Sequence, residues 1–145
     1  MSGIIGTIGA KSGVIGKNEP VWGPNAIGDL TLGTGVTVGS NNSSPASTNV
    51  LYKNLSTGLV SCYLEFDDFA IKSSTLICTF PEGYIPLVDM YVAATCTCWD
   101  AVYLCRLHHN TGNLNMWAAD YVGKGEGGRT STSEAIIFSE VWMAA

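Results

Sequence analysis

The chain has few charged residues, and this scarcity excludes one large class of partners. Asp, Glu, Lys and Arg make up 13% of its 145 residues, about half of the roughly 25% that is usual for soluble domains. Only seven residues are Lys or Arg, and the net charge is −5. We therefore do not predict a nucleic-acid partner, because proteins bind nucleic acid largely through Lys and Arg side chains that neutralise its phosphates. Hydrophobic residues reach 46%, which predicts that part of the surface serves protein contacts.

The sequence also lacks long apolar runs and helical periodicity. No window of 18 consecutive apolar residues occurs, and the N-terminus has neither a charged n-region nor a continuous apolar h-region. We therefore predict no membrane span and no secretory signal, and expect the protein to be made in the cytoplasm. No segment keeps the 3.6-residue period of an amphipathic helix over three turns, so the fold is predicted to be all-β.

The cysteines do not form a disulfide framework, because there are five of them without the dense spacing of secreted scaffolds. We interpret them as reduced core residues. Zinc would accept the ligand types present here, but structural zinc sites favour C-x2–4-C on a turning loop, whereas Cys96 and Cys98 lie in a C-x-C pattern within an apolar strand. We predict no metal and no cofactor. The residues concerned are Cys62, Cys78, Cys96, Cys98, Cys105, His108 and His109.

Residues 1–49 have the composition of an extended arm, dominated by Gly, Ser, Thr and Asn. The segment at residues 2–6, Ser-Gly-Ile-Ile-Gly, recurs at residues 12–16 as Ser-Gly-Val-Ile-Gly. Such an arm has too little contiguous apolar surface to offset the backbone entropy of ordering, so we expect it to order against a partner. Two short alternating pieces, at residues 30–32 and 36–38, could add to the sheet edge of another subunit. The predicted docking residues are Ile4, Ile5, Val14, Ile15 and Trp22.

Residues 50–145 read as one domain of β-strands separated by turns. Between residues 58 and 67, Val60, Cys62, Leu64 and Phe66 alternate with more polar residues, which is the period of a half-buried strand. Asn110-Thr111-Gly112 predicts a hairpin between two further strands. The last strand is predicted to be buried on both sides or at an interface. The predicted strands are residues 58–67, 75–80, 88–98, 101–108, 112–118 and 134–143, and we interpret the fold as an antiparallel β-sandwich of jelly-roll type.

The most distinctive motif is the turn Phe80-Pro81-Glu82-Gly83-Tyr84-Ile85-Pro86. Pro81 and Pro86 restrict φ, Gly83 permits positive φ, and Tyr84 can pack beneath the loop. This Pro-x-Gly-Tyr-x-Pro pattern resembles the turn of trimeric head modules in phage tail fibres and related virion proteins. A long strand from Val88, the hairpin, and the closing strand at residues 136–142 follow in the order that this resemblance implies.

The resemblance covers residues 50–145 and implies a homotrimeric jelly roll, with subunits arranged around a threefold axis, that binds rather than catalyses. Fewer than 50 residues precede the domain, without a heptad or shaft repeat. A head on a short arm resembles capsid cement, or decoration, proteins. The sequence therefore predicts a protein of the virion surface, assembled in the host cytoplasm, whose arm binds the major capsid protein.

The alternative is a receptor-binding head of a short tail fibre or tail tip that contacts host glycan. Its ligand-facing loops would present Trp99, Trp117 and Lys124. An exposed indole can stack on a sugar ring, although Trp99 and Trp117 are explained more simply as caps of the sandwich.

A third hypothesis, a glycan-cleaving enzyme, has little support in the sequence. Glu65, Asp67 and Asp68 could form a carboxylate pair, but a strand end running into solvent explains them as simply. The glycine-rich residues 123–130 lack the Walker spacing of a phosphate loop. We predict no catalytic residue and no enzymatic activity.

Overall fold

The computed structural model describes residues 21–39, 49–67, 74–96, 102–118 and 136–145. Within these residues the chain forms antiparallel β-strands and one short 3-10 turn at Ile27–Asp29. The all-β prediction is confirmed. The strands are β1 (Thr31–Leu32), β2 (Thr37–Val38), β3 (Val50–Lys53), β4 (Leu59–Asp67), β5 (Leu76–Thr79), β6 (Met90–Cys96), β7 (Val102–Leu107), β8 (Asn113–Ala118) and β9 (Ile136–Met143).

The alternation in the sequence determines which side chains enter the core. Along β4, Val60, Cys62, Leu64 and Phe66 are all buried, as the period-two pattern predicts. The same alternation recurs on β7, whose burial switches between exposed and buried at every residue up to Cys105. Each strand therefore has one inner face, and these faces share a single core.

The strands form a nearly closed, barrel-like sheet in the order β1-β5-β8-β7-β6-β9-β4-β2, with β3 also paired to β4. β6, β7 and β8 are consecutive antiparallel neighbours, and β5 lies beside β8. This arrangement of four strands is a Greek key. The connection from β5 to β6, residues 80–89, must therefore cross one end of β7 and β8.

The two shortest strands lie at the two ends of the strand order. β1 pairs with β5 at one end of the strand order, and β2 pairs with β4 at the other. The turn between β1 and β2 passes so near β5 that a Cβ atom at Gly33 would lie 2.0 Å from the Leu76 carbonyl oxygen. The sequence predicted these strands, but it allowed them to pair with another subunit. They pair within the chain because β4 and β5 would otherwise leave open edges.

Two asparagines stabilise the segments around β2 and β3, which both pair with the same edge of β4. The buried Asn49 accepts a hydrogen bond from the Glu65 backbone N–H at 2.6 Å and donates one to the Gly39 carbonyl at 3.0 Å. Asn25 accepts from the Leu51 backbone N–H at 2.9 Å and donates to the Asn49 carbonyl at 3.1 Å. Side-chain amides thus substitute for ladder hydrogen bonds where the two strands are discontinuous.

Three aromatic rings pack against one another in the core where the crossover begins. The centroids of Phe80 and Trp142 are 5.2 Å apart in an edge-to-face arrangement, and Phe138 lies 6.3 Å from Phe80 and 6.4 Å from Trp142. These separations are typical of favourable aromatic pairs. The crossover therefore begins at Phe80, which is itself one of the three rings.

The structure differs from the prediction in where β6 begins and in how far β9 is buried. β6 begins at Met90 rather than Val88, and Val88 is exposed. On β9 the inner residues Ile136, Phe138 and Trp142 are buried, whereas Val141 and Met143 are exposed in the single chain. Of the two predictions for β9, burial on both sides is wrong for this chain alone, because β9 lies in a single-layered wall with one outer face.

Candidate functional site

Residues 81–86 form a turn with the conformation that the motif predicts. Gly83 has a φ of +82°, in the left-handed region that favours glycine. The Tyr84 backbone N–H donates to the Pro81 carbonyl at 3.1 Å, which closes a four-residue turn. Pro86 is buried. The motif therefore has a structural role in starting the crossover of the Greek key.

Neighbouring strands hold this turn through its carbonyl groups. The Trp142 indole Nε1–H donates to the Tyr84 carbonyl at 2.8 Å, and the Lys53 ammonium donates to the Gly83 carbonyl at 2.5 Å. The Ala145 backbone N–H donates to the Ile85 carbonyl at 2.9 Å. The turn is thus attached to β3 and to the end of β9, so hydrogen bonds connect the motif to the closing strand.

A cluster of two aromatic rings and a guanidinium lies on the outer face of β6, β7 and β8. The Arg106 Cζ atom is 5.0 Å from the centroid of the Trp117 ring and 5.5 Å from that of Tyr91. The two rings meet edge to face at 5.3 Å. Trp117 is nevertheless 47% exposed and Tyr91 is 51% exposed. Cation–π contacts therefore hold the three side chains together while they remain accessible.

Asp89 orients this cluster from the crossover. Its carboxylate forms a salt bridge with the Arg106 guanidinium and accepts a hydrogen bond from the His109 backbone N–H at 2.9 Å, and His109 Nδ1 lies 2.8 Å from the same carboxylate. The hydrogen bond from Arg106 is the largest cause that holds the pKa of Asp89 well below its usual range, and the His109 contacts add to it. Asp89 in turn raises the pKa of Arg106. The pair therefore stays charged at neutral pH.

Trp22 lies where the predicted arm meets the sheet. It forms a bridge to Asn54 beside β3 and is 41% exposed. With Tyr52 and Ser61 it lines a surface groove of about 280 Å³. The other predicted docking residues, Ile4, Ile5, Val14 and Ile15, lie outside the residues that the structure describes.

The three cysteine side chains that the structure describes are buried thiols. Burial raises the pKa of Cys62 and of Cys105 to about 12. Burial is also the main cause that raises the pKa of Cys78. Cys105 Sγ lies 3.9 Å from Met116 Sδ. Protonated thiols are poor nucleophiles and poor metal ligands, so these residues act as apolar core groups, as predicted. Cys98 and the side chain of Cys96 are not among the described residues.

In the described part of the chain, no three His, Cys, Asp or Glu side chains come together as a metal site. Nor does it contain a helix that is long and apolar enough to cross a membrane.

The interpretation of the carboxylates as a solvent-exposed strand end is wrong for Glu65. Its side chain is only 4% exposed, because β4 is covered at this point by residues 37–39 and by Asn49. A Cβ atom at Gly39 would lie 2.0 Å from a carboxylate oxygen of Asp67, which shows how closely that segment approaches. Asp68 lies outside the described residues.

Of the predicted ligand-facing residues, the structure describes only Trp117, which lies on β8 near its end. Trp99 and Lys124 are outside the described residues. Sequence reasoning missed Tyr91, Arg106 and Asp89 because their proximity depends on which strands pair. Alternation alone could have placed Tyr91 on the outer face of β6, because its neighbour Val92 points to the inner face and is buried.

Known proteins do not identify this site. No protein-family model, no curated protein and no solved structure matches the chain.

Proposed function

We propose that this chain is a non-enzymatic structural protein of a tailed-phage particle, a capsid cement protein whose trimeric jelly-roll head is anchored to the major capsid protein by its N-terminal arm. The observation that carries the proposal is the turn at residues 81–86. It combines the distinctive sequence motif with a crossover that hydrogen bonds fasten to Trp142 of the closing strand and to the residues after it. Motif and closing strand are two of the features on which the resemblance to virion head modules depends.

The fold supports the jelly-roll part of this proposal. A jelly roll consists of antiparallel strands connected by Greek keys, and β5 to β8 form one such unit. The curled sheet places all described inner faces around one core. A binding module of this kind uses its outer faces and loops, and leaves the core as a scaffold.

The position of Trp22 supports the role of the arm. Backbone hydrogen bonds fix its neighbours to β3: the Gly23 N–H donates to the Lys53 carbonyl at 2.8 Å, and the Leu55 N–H donates to the Val21 carbonyl at 2.9 Å. The segment that carries the two glycine-flanked aliphatic pairs thus joins the head at a firm attachment point. An exposed tryptophan at that point is suited to insertion into a partner's surface.

Electron cryo-microscopy of the intact particle tests the proposal. A cement protein is expected over the whole shell, in a copy number similar to that of the capsid subunits, with arm residues between neighbouring subunits. Density confined to the tail, in a few copies per particle, would contradict the capsid assignment.

A receptor-binding head is the second candidate, and the cluster of Tyr91, Arg106 and Trp117 is the observation that favours it. Exposed aromatic rings can stack on a pyranose ring, and a fixed guanidinium can donate to its hydroxyl groups. Titration of the protein with host-surface glycan, followed by tryptophan fluorescence, tests this function. Loss of the response in Trp117→Ala, but not in Trp22→Ala, is the expected signature.

A further inference from the structure

Most of the large hydrophobic side chains that are exposed among the described residues lie on one side of the barrel, apart from Val21, Trp22 and Leu55 beside β3. Eight of them lie on β7, β8 and β9, on β6, and on the crossover that leads into β6; we call this set the apolar face. Among the described residues of β1, β2 and β5 on the opposite side, no large hydrophobic side chain has comparable exposure. The apolar face consists of Leu87, Val88, Tyr91, Val102, Leu104, Trp117, Val141 and Met143.

The strand pairing makes this face continuous. Tyr91 lies opposite Arg106 and Ala93 opposite Leu104, which joins β6 to β7 on the outer side. Across the seam between β6 and β9, the Leu87 backbone N–H donates to the Met143 carbonyl at 3.2 Å. The seam therefore lies in the middle of the apolar face, with β7 and β8 on one flank and β9 on the other.

The seam is irregular, and exposed residues lie at one end of it. Thr95 pairs with Ile137, and Pro86 forms a bridge with Ala144. The eight residues 87–94 thus face the six residues 138–143, so the β6 side has two residues more than its partner. Extra residues bend a strand and redirect its side chains, and Leu87 and Val88 are exposed in this bulged stretch.

The size of the apolar face reaches or exceeds the upper end of what a monomer normally leaves in water. Its side chains are between 37% and 67% exposed. If a large side chain has an area of about 150–250 Å², each leaves roughly 60–100 Å² accessible, and the face amounts to roughly 500–800 Å². The largest apolar patch of a typical monomer is about 300–600 Å², whereas a stable interface buries about 800 Å² per partner.

The charge within this face is already neutralised. Arg106 lies between Tyr91 and Trp117 and is paired with Asp89. Burial of the face would therefore not leave an unpaired guanidinium, which would otherwise oppose association. Tyr, Trp and Arg are also the residue types that most often dominate the energy of protein interfaces.

We propose that the apolar face packs against two further copies of this chain, so that the seam between β6 and β9 of each subunit faces a threefold axis. The inference rests on the trimer of the proposed function and specifies the surface that forms it. A face that extends to both sides of one seam lets each subunit contact one neighbour through β7 and β8 and the other through β9. Such head-to-tail contacts bury both flanks when the ring closes.

Sedimentation equilibrium of three full-length variants at micromolar concentration tests the proposal. Leu104→Glu changes one flank and Val141→Glu changes the other, while Thr31→Glu introduces the same charge on the opposite side of the barrel. The unmodified chain and Thr31→Glu are expected to be trimers. Each of the two flank variants is expected to associate at least 100-fold more weakly and to sediment as a monomer, since each flank takes part in every contact.

Circular dichroism and thermal melting of each variant verify folding, and Val88→Glu, at the most exposed position of the seam, replaces any variant that fails to fold. Trimers that persist in both flank variants would overturn the assignment of the face and leave the trimer itself intact. If the unmodified chain is a monomer, both the trimer and the assignment of the face to its contacts are overturned. A glycan response by that monomer would assign the face to receptor binding. Failure of the trimer to co-sediment with particles would contradict the cement function alone.

Discussion

Replacement of Trp142 by Phe is expected to destabilise the domain and loosen the crossover turn. The indole donates to the Tyr84 carbonyl at 2.8 Å and packs edge to face on Phe80 at 5.2 Å. Phenylalanine keeps an aromatic ring but has no donor. The lost hydrogen bond costs about 1–2 kcal/mol, and the space left by the smaller ring costs about 1–2 kcal/mol more. The expected loss is therefore about 2–4 kcal/mol in the free energy of unfolding.

Urea denaturation at a fixed protein concentration measures this loss, since the apparent stability of an oligomer depends on concentration. At about 3 °C per kcal/mol for a domain of this size, the melting temperature should fall by about 6–12 °C. Hydrogen exchange provides a local measurement: the amides of Leu87 and Ala145, which donate to β9 and to the turn, should exchange faster.

Trp22→Phe is the matched control, because Trp22 is partly exposed outside the aromatic cluster. Its effect on the free energy of unfolding should stay within about 0.5 kcal/mol. Equal losses in the two variants, or unchanged exchange at Leu87 and Ala145 in Trp142→Phe, would refute the reasoning that the indole of β9 holds the turn.

Three further predictions follow from the arm, the thiols and the ion pair. Deletion of residues 1–20 should leave the melting temperature nearly unchanged, because residues from Val21 onward make the described attachment beside β3, but should abolish co-sedimentation with particles that lack the protein. Cys62 and Cys105 should resist alkylation until the chain unfolds, as peptide-resolved mass spectrometry can show. On folding, the pKa values of these two thiols rise from 9.0 to about 12. Between these pH values the unfolded chain loses the thiol protons while the folded chain keeps them. The urea concentration at the midpoint of unfolding should therefore decrease as the pH is raised from 9 to about 12. The lowered pKa of Asp89 predicts the opposite direction: its stabilising contribution is present above the ordinary value of 3.8 and is lost only at lower pH, so its carboxyl NMR signal should still report the ionised form at pH 3.

Local patterns in the sequence predicted most strands of the domain. β4, β5, β7 and β8 lie within the predicted ranges, and the hairpin turns at the predicted Asn110-Thr111-Gly112. These features depend on neighbours in the chain, since alternation requires only one buried face and a hairpin requires only suitable turn residues. The left-handed Gly83 was predictable for the same reason.

Features that depend on distant pairing could not be read in this way. Glu65 is buried where a segment about 25 residues earlier in the chain pairs along the edge of β4. The pairing of β1 and β2 within the chain depends on which sheet edges remain open after the other strands have assembled. Neither is visible in the composition of the residues concerned.

The sequence by itself therefore determined the β-class, the alternation of the strands and the conformation of the turn at residues 81–86, because these follow from local sterics and burial. Only the tertiary structure decided that Tyr91, Arg106 and Trp117 meet, and that Leu87 lies beside Met143. Strand register sets those contacts, and a shift of one residue would turn each side chain to the other face. The candidate surface is thus a product of long-range pairing across β6, β7, β8 and β9.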